Sequence, residues 1–472
     1  MGRYQKRFEF LVLILTVQFF IASWTWAADK PALVPKPQVV NWLAGAGPLG
    51  KLTVEYDSAT RSARAEALFT SLTAGLPKNQ IPYEGYLLQV NADGVLLLVK
   101  DKNGEIYGRQ TLDQLRLPDG TYPFVTIADW PRQSWRGLHV LDSGPGTLPQ
   151  IKSLMRDVLV KNRCNILVYE IDYNYAFATH PEIKADGTGA WTKEQVGELV
   201  QAGRENGIKV IPEINCLGHQ SWLFPPGALL KAHPDLEEPP DNGTPQTSLA
   251  SKDFYCRSWC PLNPQVNKIM FDLFGELLDA FQTNMFHVGM DEVLVIASQD
   301  CPRCKDKNPA QLYAGQVLAF HQYFAARHVT MLMWGDRLLN KQATGYSQFD
   351  SSANGTDGAL PLIPKDVILC DWHYDYNPAV GFPSAGFFTG KGYRVWPTVY
   401  KDLNASKKFM ETAQDLKSPL VLGTLTSVWL PAAQVFAALK PDFGSAVPDK
   451  NGDKEKAVTV VKSLRLMWNP AE

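Results

Sequence analysis

The chain has 472 residues, a mass of 52.5 kDa and a formal net charge of −2, with 45% hydrophobic and 20% charged residues. This length provides a large core and more than one domain. The balanced charge argues against a nucleic-acid-binding protein, which usually carries a basic excess, and the 11% aromatic content argues against disorder. No long apolar run follows the N-terminal region, which excludes a protein with several membrane spans.

The first 27 residues have the pattern of a secretory signal peptide. Three basic residues precede the apolar stretch 10–22, and Thr25-Trp26-Ala27 offers small residues at the positions that a signal peptidase reads. We predict cleavage after Ala27 and export of the mature chain, either secreted or periplasmic. An uncleaved membrane anchor is the alternative.

Residues 30–130 predict a small α+β domain. Strands are predicted at 51–55, 85–90 and 94–99, and helices over 62–74 and 108–115. Asp129-Trp-Pro-Arg marks the boundary, so a second domain is predicted over 131–472.

From residue 136 onward, short apolar runs alternate with helical segments, a pattern typical of an α/β fold. Eight such runs lie at 137–141, 165–171, 209–214, 285–288, 329–334, 367–372, 393–396 and 420–428. Eight strand–helix repeats over roughly 300 residues predict a (β/α)8 TIM barrel. A doubly wound open sheet is the alternative, but no glycine-rich phosphate loop follows the first strand.

The strongest local signal for chemistry is the run Phe286-His-Val-Gly-Met-Asp-Glu-Val293, which closes the fourth predicted barrel strand with two acids. Neighbouring side chains of a regular strand point to opposite faces, so Asp291 and Glu292 serve one ligand only if the strand ends or kinks there. Gly289 permits such a kink. The alternative is a solvated acidic pair at a strand end.

Aromatic residues follow the same pattern at later strand ends. Trp334, Trp372, Trp396 and Trp429 are placed at the ends of strands five to eight. Because aromatic walls suit the apolar faces of a pyranose ring, a carboxylate pair among them points to glycoside chemistry.

Four cysteines fall in segments that are predicted to be loops. Cys256 and Cys260 have C-x3-C spacing, and Cys301 and Cys304 have C-x2-C spacing. In an exported protein, disulfides are favoured over a zinc site, and the pairing is open.

The acidic run resembles the His-x-Gly-Gly-Asp-Glu-Val motif of family 20 glycoside hydrolases, the β-N-acetylhexosaminidases. The stretch Tyr107-Gly-Arg-Gln-Thr-Leu-Asp-Gln-Leu is similar to a segment of that family's small accessory domain, and Trp135-Arg-Gly-Leu138 is similar to the opening of its barrel. Val210-Ile-Pro-Glu213 followed by Gly218-His219 resembles the third strand and its turn. The glutamate of Asn165-Ile-Leu-Val-Tyr-Glu170 is closest to the hexosaminidase D-like branch.

The resemblance implies roles for individual residues. Family 20 enzymes retain configuration without an enzyme nucleophile, because the substrate's 2-acetamido oxygen attacks C1 to form an oxazolinium ion. Glu292 matches the general acid/base and Asp291 the residue that orients the acetamido group. Tyr374 matches the tyrosine that contacts the acetamido oxygen, with Tyr376 as the competing candidate. The further expected substrate-binding residues are Arg136, Glu170, His219, Trp334, Asp336, Trp372, Trp396 and Trp429.

The chain departs from the family pattern in four places. Met290 replaces the second glycine of the motif. The His and Asp that most members carry on the second strand are absent, and Glu170 and Asp172-Tyr173 stand there instead. Asn215 replaces an aspartate before the Gly-His turn. After Trp429 comes Leu-Pro, where many members have a glutamate that grips the sugar's O4 and O6.

The expected function is therefore that of an exo-acting β-N-acetylhexosaminidase that removes terminal GlcNAc or GalNAc from glycans. We expect a glycan or glycoconjugate as its partner, and neither a metal ion nor another cofactor in the reaction. The alternatives are a carbohydrate-binding protein on a hydrolase-like barrel and a glycosidase for another amino-sugar linkage. A metal-dependent deacetylase is disfavoured because no ligand cluster is evident among the eight histidines.

Overall fold

The computed structural model describes residues 30–184, 189–221, 226–239, 256–439 and 452–471. The predicted signal segment 1–27 lies outside these residues. The chain divides into two compact units, Met1–Trp130 and Pro131–Glu472. A search of the described residues for a helix both long and apolar enough to span a bilayer found none.

Over its described residues, 30–130, the first unit is a five-stranded sheet with two α-helices. Its strands are β1 (Val39–Gly47), β2 (Leu52–Tyr56), β3 (Tyr86–Asn91), β4 (Gly94–Val99) and β5 (Tyr122–Asp129), in the order β1-β5-β3-β4-β2. Strands β2 and β4 are parallel and the other pairs antiparallel. The helices are Ala63–Leu72 and Lys102–Gln114.

Local sequence explains both helices of this unit. The Ser62 hydroxyl accepts a hydrogen bond from the Ala65 N–H, and the Asp101 carboxylate accepts one from the Gly104 N–H, so each helix has an N-cap. The predicted strands and the first helix are present. The second helix begins six residues earlier than predicted, at its Asp101 cap.

The second unit is a closed parallel barrel of eight strands. They are β6 (Trp135–Leu141), β7 (Ile166–Glu170), β8 (Lys209–Cys216), β9 (Met285–Gly289), β10 (Thr330–Trp334), β11 (Ile368–Trp372), β12 (Arg394–Val399) and β13 (Gly423–Pro431). Each strand pairs with its neighbours in sequence, and β13 closes on β6. The predicted TIM barrel is confirmed, and the open-sheet alternative is wrong.

Helices follow the barrel strands in the described parts of the chain. The longer ones are Leu148–Leu154, Lys193–Glu205, Pro264–Phe281, Pro309–Ala325, Leu403–Asp415 and Asp453–Trp468, and the shorter ones are Ala228–Ala232, Lys341–Thr344, Ser384–Gly390 and Ala432–Leu439. Because the strands are covered by helices outside and fill the barrel inside, their residues are almost all buried. This burial accounts for the continuous apolar runs in the sequence.

Candidate active site

The two acids follow a kink at the end of β9. Gly289, Met290 and Glu292 all have positive φ, at +62°, +70° and +44°. A Cβ on Gly289 would lie 2.3 Å from Asn215 Oδ1, so this position requires glycine. The Tyr313 hydroxyl donates to the Met290 carbonyl, 2.9 Å away, and holds the kink. The kink that would let Asp291 and Glu292 face one ligand is therefore present.

The carboxylates of Asp291 and Glu292 both contact the same nitrogen of His219. Its Nε2 lies 3.2 Å from Asp291 Oδ2 and 3.2 Å from Glu292 Oε2. Burial alone would lower the pKa of His219, but its partners Cys256 and Asp291 raise that pKa well above its ordinary value. The raised pKa favours the protonated form of His219, in which Nε2 carries a hydrogen toward both carboxylates.

Asp291 keeps one oxygen available. Its Oδ2 faces His219, while Oδ1 is buried and has no hydrogen-bond partner among the described residues. A buried carboxylate oxygen without a donor is costly, so this atom is the natural acceptor for an N–H group of a bound ligand.

Asp336 fixes the backbone of the catalytic segment. It follows the end of β10, and its Oδ2 accepts the Glu292 N–H at 2.9 Å and the Arg337 Nε–H at 2.6 Å. Burial raises the pKa of Asp336 to about 6, against the opposing attraction of Arg337. Its Oδ1 accepts the Trp372 Nε1–H at 3.3 Å. Asp336 was expected to bind the sugar, but both of its oxygens are occupied, so that role is corrected to support of the segment that carries Glu292.

Three aromatic residues form a wall at the same end of the barrel. Trp372 and Tyr374 stack with ring centroids 5.0 Å apart. Trp429 Nε1 donates to the Tyr374 hydroxyl at 2.9 Å, which fixes the orientation of that hydroxyl. Trp334 lies beneath Trp429 and is fully buried, with 5.9 Å between the ring centroids. The structure therefore brings together four of the five aromatic residues predicted for the site.

A buried polar network lies inside the barrel below this wall. His139 Nε2 contacts Glu170 Oε2 at 3.0 Å and Glu213 Oε2 at 3.2 Å, and Glu213 Oε1 accepts the Trp334 Nε1–H at 2.9 Å. Burial raises the pKa of Glu170 to about 7. Despite its burial, the pKa of Glu213 is lowered by His287 and His139. The network holds Trp334 in place through a charged group.

Glu170 belongs to this network and is not an open sugar ligand. Its Oε2 faces His139, its Oε1 accepts the Asn215 Nδ2–H at 2.8 Å, and the residue is 3% exposed. Because both oxygens are occupied, the substrate-binding role expected for Glu170 is corrected to support of the site. Asn215, where the resemblance expected an aspartate, supplies the amide that makes this contact.

The placement expected for Arg136 is wrong. It is the second residue of β6, so it lies at the end of the barrel opposite to the one where Asp291 and Glu292 follow β9. The side chain is fully buried, and it donates to the carbonyls of Gln133 and Arg163 at 2.8 and 2.7 Å. Its guanidinium carbon lies 5.1 Å from the ring centroid of Trp468. It stabilises the barrel base and does not reach a sugar at the site.

The placement expected for Trp396 is also wrong. Strand β12 runs on to Val399, so Trp396 lies in mid-strand, fully buried among the barrel core residues. Its ring packs edge-on against Trp135, with centroids 5.1 Å apart. It fills the barrel interior and does not face the pocket.

Sequence reasoning missed three residues of the site. His139 and Glu213 sit inside strands, where the two-residue alternation places them in the barrel interior. Cys256 lies 3.2 Å from His219 Nδ1 and 3.4 Å from Glu292 Oε2, although it was predicted to join the other loop cysteines. The sequence signal for His139 and Glu213 was a polar residue inside an apolar run. Only folding brings Cys256 to the carboxylates.

Comparisons with known proteins agree with this geometry. The family description "Glycosyl hydrolase family 20, catalytic domain" matches residues 170–381, and "Glycosyl hydrolase family 20, domain 2" matches residues 71–130. A beta-hexosaminidase of Akkermansia muciniphila is 30% identical over 303 residues, which are 58% of this chain and 59% of that protein. A beta-hexosaminidase of Porphyromonas gingivalis is 27% identical over 413 residues, 77% of this chain and 49% of that protein.

Solved structures show the same fold. The chitobiase of Flavobacterium johnsoniae superposes with a TM-score of 0.61 at 19% identity, covering 93% of this chain and 72% of that one. The chain spans about half the length of the curated relatives that it matches. The two family matches together cover residues 71–130 and 170–381, more than half of the chain, and the chain belongs to glycoside hydrolase family 20.

Proposed function

We propose that this chain is an exo-acting β-N-acetylhexosaminidase that hydrolyses terminal GlcNAc or GalNAc residues by a retaining, substrate-assisted mechanism. The observation that carries the proposal is the pair Asp291–Glu292, which a kink turns toward one atom, His219 Nε2, at 3.2 Å from each carboxylate. Beta-hexosaminidases among the relatives support the substrate class.

Glu292 acts as the general acid/base. Its carboxyl is only partly buried, with 12% of the side chain exposed, and it lies at the mouth of the site beside His219 and Cys256. In the first step, Glu292 gives its proton to the glycosidic oxygen as the bond from C1 to that oxygen breaks. In the second step, it removes a proton from the water that attacks C1.

Asp291 and Tyr374 hold the acetamido group that acts as the nucleophile. Asp291 Oδ1 accepts the acetamido N–H, which satisfies the buried oxygen and directs the acetamido carbonyl toward C1. The carboxylate charge then stabilises the oxazolinium ion as positive charge develops. The Tyr374 hydroxyl, oriented by the Trp429 N–H, donates to the acetamido oxygen.

The aromatic residues bind the sugar ring. Trp372, Tyr374 and Trp429 present apolar faces beside the carboxylates, which suits the C–H faces of a pyranose. Arg136 makes no contribution to this pocket, since it lies at the opposite end of the barrel. Leu430 and Pro431 follow Trp429, so a glutamate grip on O4 and O6 is absent from this segment and GlcNAc and GalNAc are expected to be accepted with similar rates.

The proposal is tested with paired aryl β-GlcNAc and β-GalNAc substrates, with and without a thiazoline that mimics the oxazolinium ion. Turnover that the thiazoline abolishes, and that falls about 100-fold or more in Glu292→Gln, supports it. Glu198→Gln is the matched control, because Glu198 is exposed and pairs with Lys152 on the barrel surface. Unchanged turnover in Glu292→Gln would reject the assignment. Sugar binding without turnover by the folded protein would favour a non-catalytic binding protein instead.

The proposal also includes export of the chain and its membership of a subfamily. The signal-like segment 1–27 supports export with cleavage after Ala27, and the N-terminal sequence of the protein recovered outside the cytoplasm tests it. Kinship with the hexosaminidase D-like branch rests on Glu170 and stays a prediction.

A further inference from the structure

Three cysteines outside the active site form a compact cluster. Cys260 Sγ lies 3.3 Å from Cys304 Sγ and 3.6 Å from Cys301 Sγ. All three side chains are buried, and their sulfur atoms lie within 4.8 Å of one another. Cys256, which the sequence grouped with them, is not a member, because it contacts His219 and Glu292.

The cluster joins two segments that are distant in sequence. Cys260 precedes the helix Pro264–Phe281, whereas Cys301 and Cys304 lie in a turn after the loop that carries Asp291 and Glu292. A disulfide between any two of these sulfurs would leave the third thiol buried in the same space. One tetrahedral ion would use all three, and its Zn–S bonds of about 2.3 Å place the sulfurs about 3.8 Å apart.

Backbone N–H groups face the cluster. The Leu262 N–H is directed at Cys260, and the N–H groups of Arg303 and Cys304 are directed at Cys301. Donors of this kind stabilise a deprotonated sulfur and act as outer-shell partners of a metal ligand.

Glu238 lies near the cluster without being a member of it. It acts electrostatically on Cys304 and its Oε1 accepts the Ser298 N–H at 2.8 Å, while the group of ligand atoms that lie within 4.8 Å of one another consists of the three sulfurs. Soft thiolate ligands select zinc among the common divalent ions.

We propose that Cys260, Cys301 and Cys304 bind one Zn²⁺ as thiolates, with water at the fourth position, and that this ion holds together the two loops that carry Cys256 and the Asp291–Glu292 pair. Binding releases three thiol protons to solvent and involves no redox change. The ion is structural and takes no part in glycoside hydrolysis. The proposed zinc site stands in place of the disulfide that the expected export of the protein favoured.

The test uses the full chain purified without reducing agent, and its metal content is measured before chelation and after reloading with Zn²⁺ alone. We expect one zinc per chain, and a cobalt-loaded form with the intense near-ultraviolet absorption of thiolate–cobalt bonds. Cys301→Ser and Cys260→Ser should weaken zinc binding by more than the about 10–100-fold that loss of an outer-shell partner costs. Cys164→Ser should keep the zinc, because Cys164 donates to the Ile166 carbonyl elsewhere and serine can do the same.

A folding defect is separated from a ligand defect by adding Zn²⁺ during thermal unfolding. The melting temperature of the wild-type chain and of Cys164→Ser should rise with zinc, and that of Cys301→Ser should not. An unfolded intact mass lower by two hydrogen atoms, with Cys260 linked to Cys304 in the peptide map, would overturn the proposal. Absence of zinc in the wild-type chain after reloading would overturn it as well.

Discussion

Nε2 of His139 lies 3.0 Å from Oε2 of Glu170, and both side chains are buried in the barrel interior. Burial alone would lower the pKa of His139, but Glu213 and Glu170 outweigh it and raise that pKa to about 9. The folded state therefore holds a proton that the unfolded chain releases near pH 6.5. The stabilisation is fully present below pH 6.5 and is lost as the pH rises through 9.

We predict that the free energy of unfolding falls by about 3 kcal/mol between pH 6 and pH 9.5 through His139 alone. His219, whose pKa is also raised, acts with the same sign. Urea unfolding at several pH values measures this dependence. His321→Asn is the control and should show the same slope, because His321 pairs with Asp366 near the surface. Stability that is constant or rises over this range would contradict the prediction.

Asp291→Asn should lower kcat for an aryl N-acetylhexosaminide by about 100- to 1,000-fold. Asparagine has nearly the same shape, but it lacks the charge that stabilises the oxazolinium ion, and its amide can present a donor where the acetamido N–H needs an acceptor. The affinity for a thiazoline should fall in parallel. Asp279→Asn should leave both unchanged, since Asp279 is exposed and pairs with Lys193. An Asp291→Asn enzyme of normal activity would remove Asp291 from the mechanism.

Tyr374→Phe and Tyr376→Phe distinguish the two tyrosines that compete for the acetamido oxygen. Tyr374→Phe should lower kcat about 10- to 100-fold, because it removes both the donor and the acceptor for the Trp429 N–H. Tyr376 is 36% exposed and packs against Phe382, so Tyr376→Phe should retain activity. The reverse pattern of rates would assign the role to Tyr376.

The barrel could be predicted from sequence because all of its strands are buried in the same way. Each strand is buried on both faces, so each appears as an apolar run whose boundaries differ from the observed ones by a few residues. Strand β1 was missed because it is largely exposed and contains alanine and glycine. Its pairing with β5 joins segments more than 70 residues apart, which no local pattern reports.

The site could be predicted where its residues follow strands directly. Asp291, Glu292 and Tyr374 follow a strand end, and the acidic pair also carries the family motif. The predicted placements of Arg136 and Trp396 were wrong because an apolar run does not show at which end of the barrel a residue lies. It also does not show how far the strand continues beyond that residue.

Cys256 should resist alkylation although it lies beside the Glu292 carboxylate. Burial raises its pKa to about 12, so the thiol is protonated at pH 8. Because the thiolate is the reactive form, iodoacetamide should modify Cys256 about 1,000-fold more slowly in the folded protein than in denaturant. Peptide mass spectrometry over a time course measures both rates. Rapid modification of the folded protein with loss of activity would contradict this.

Gly137→Ala should lower the stability of the barrel by overpacking its interior. A Cβ at this position would lie 2.3 Å from Trp396 Cζ2 and 2.7 Å from Leu425 Cδ1, so the packed interior must move. Overpacking of this kind costs about 1–3 kcal/mol, and thermal unfolding measures the loss. Gly146→Ala is the matched control, because nothing lies within 4 Å of its Cβ position. Adding Trp396→Phe removes the clashing ring atoms and should recover part of the stability lost in Gly137→Ala. If the double variant is less stable than the sum of the single changes, the clash with Trp396 is not the cause.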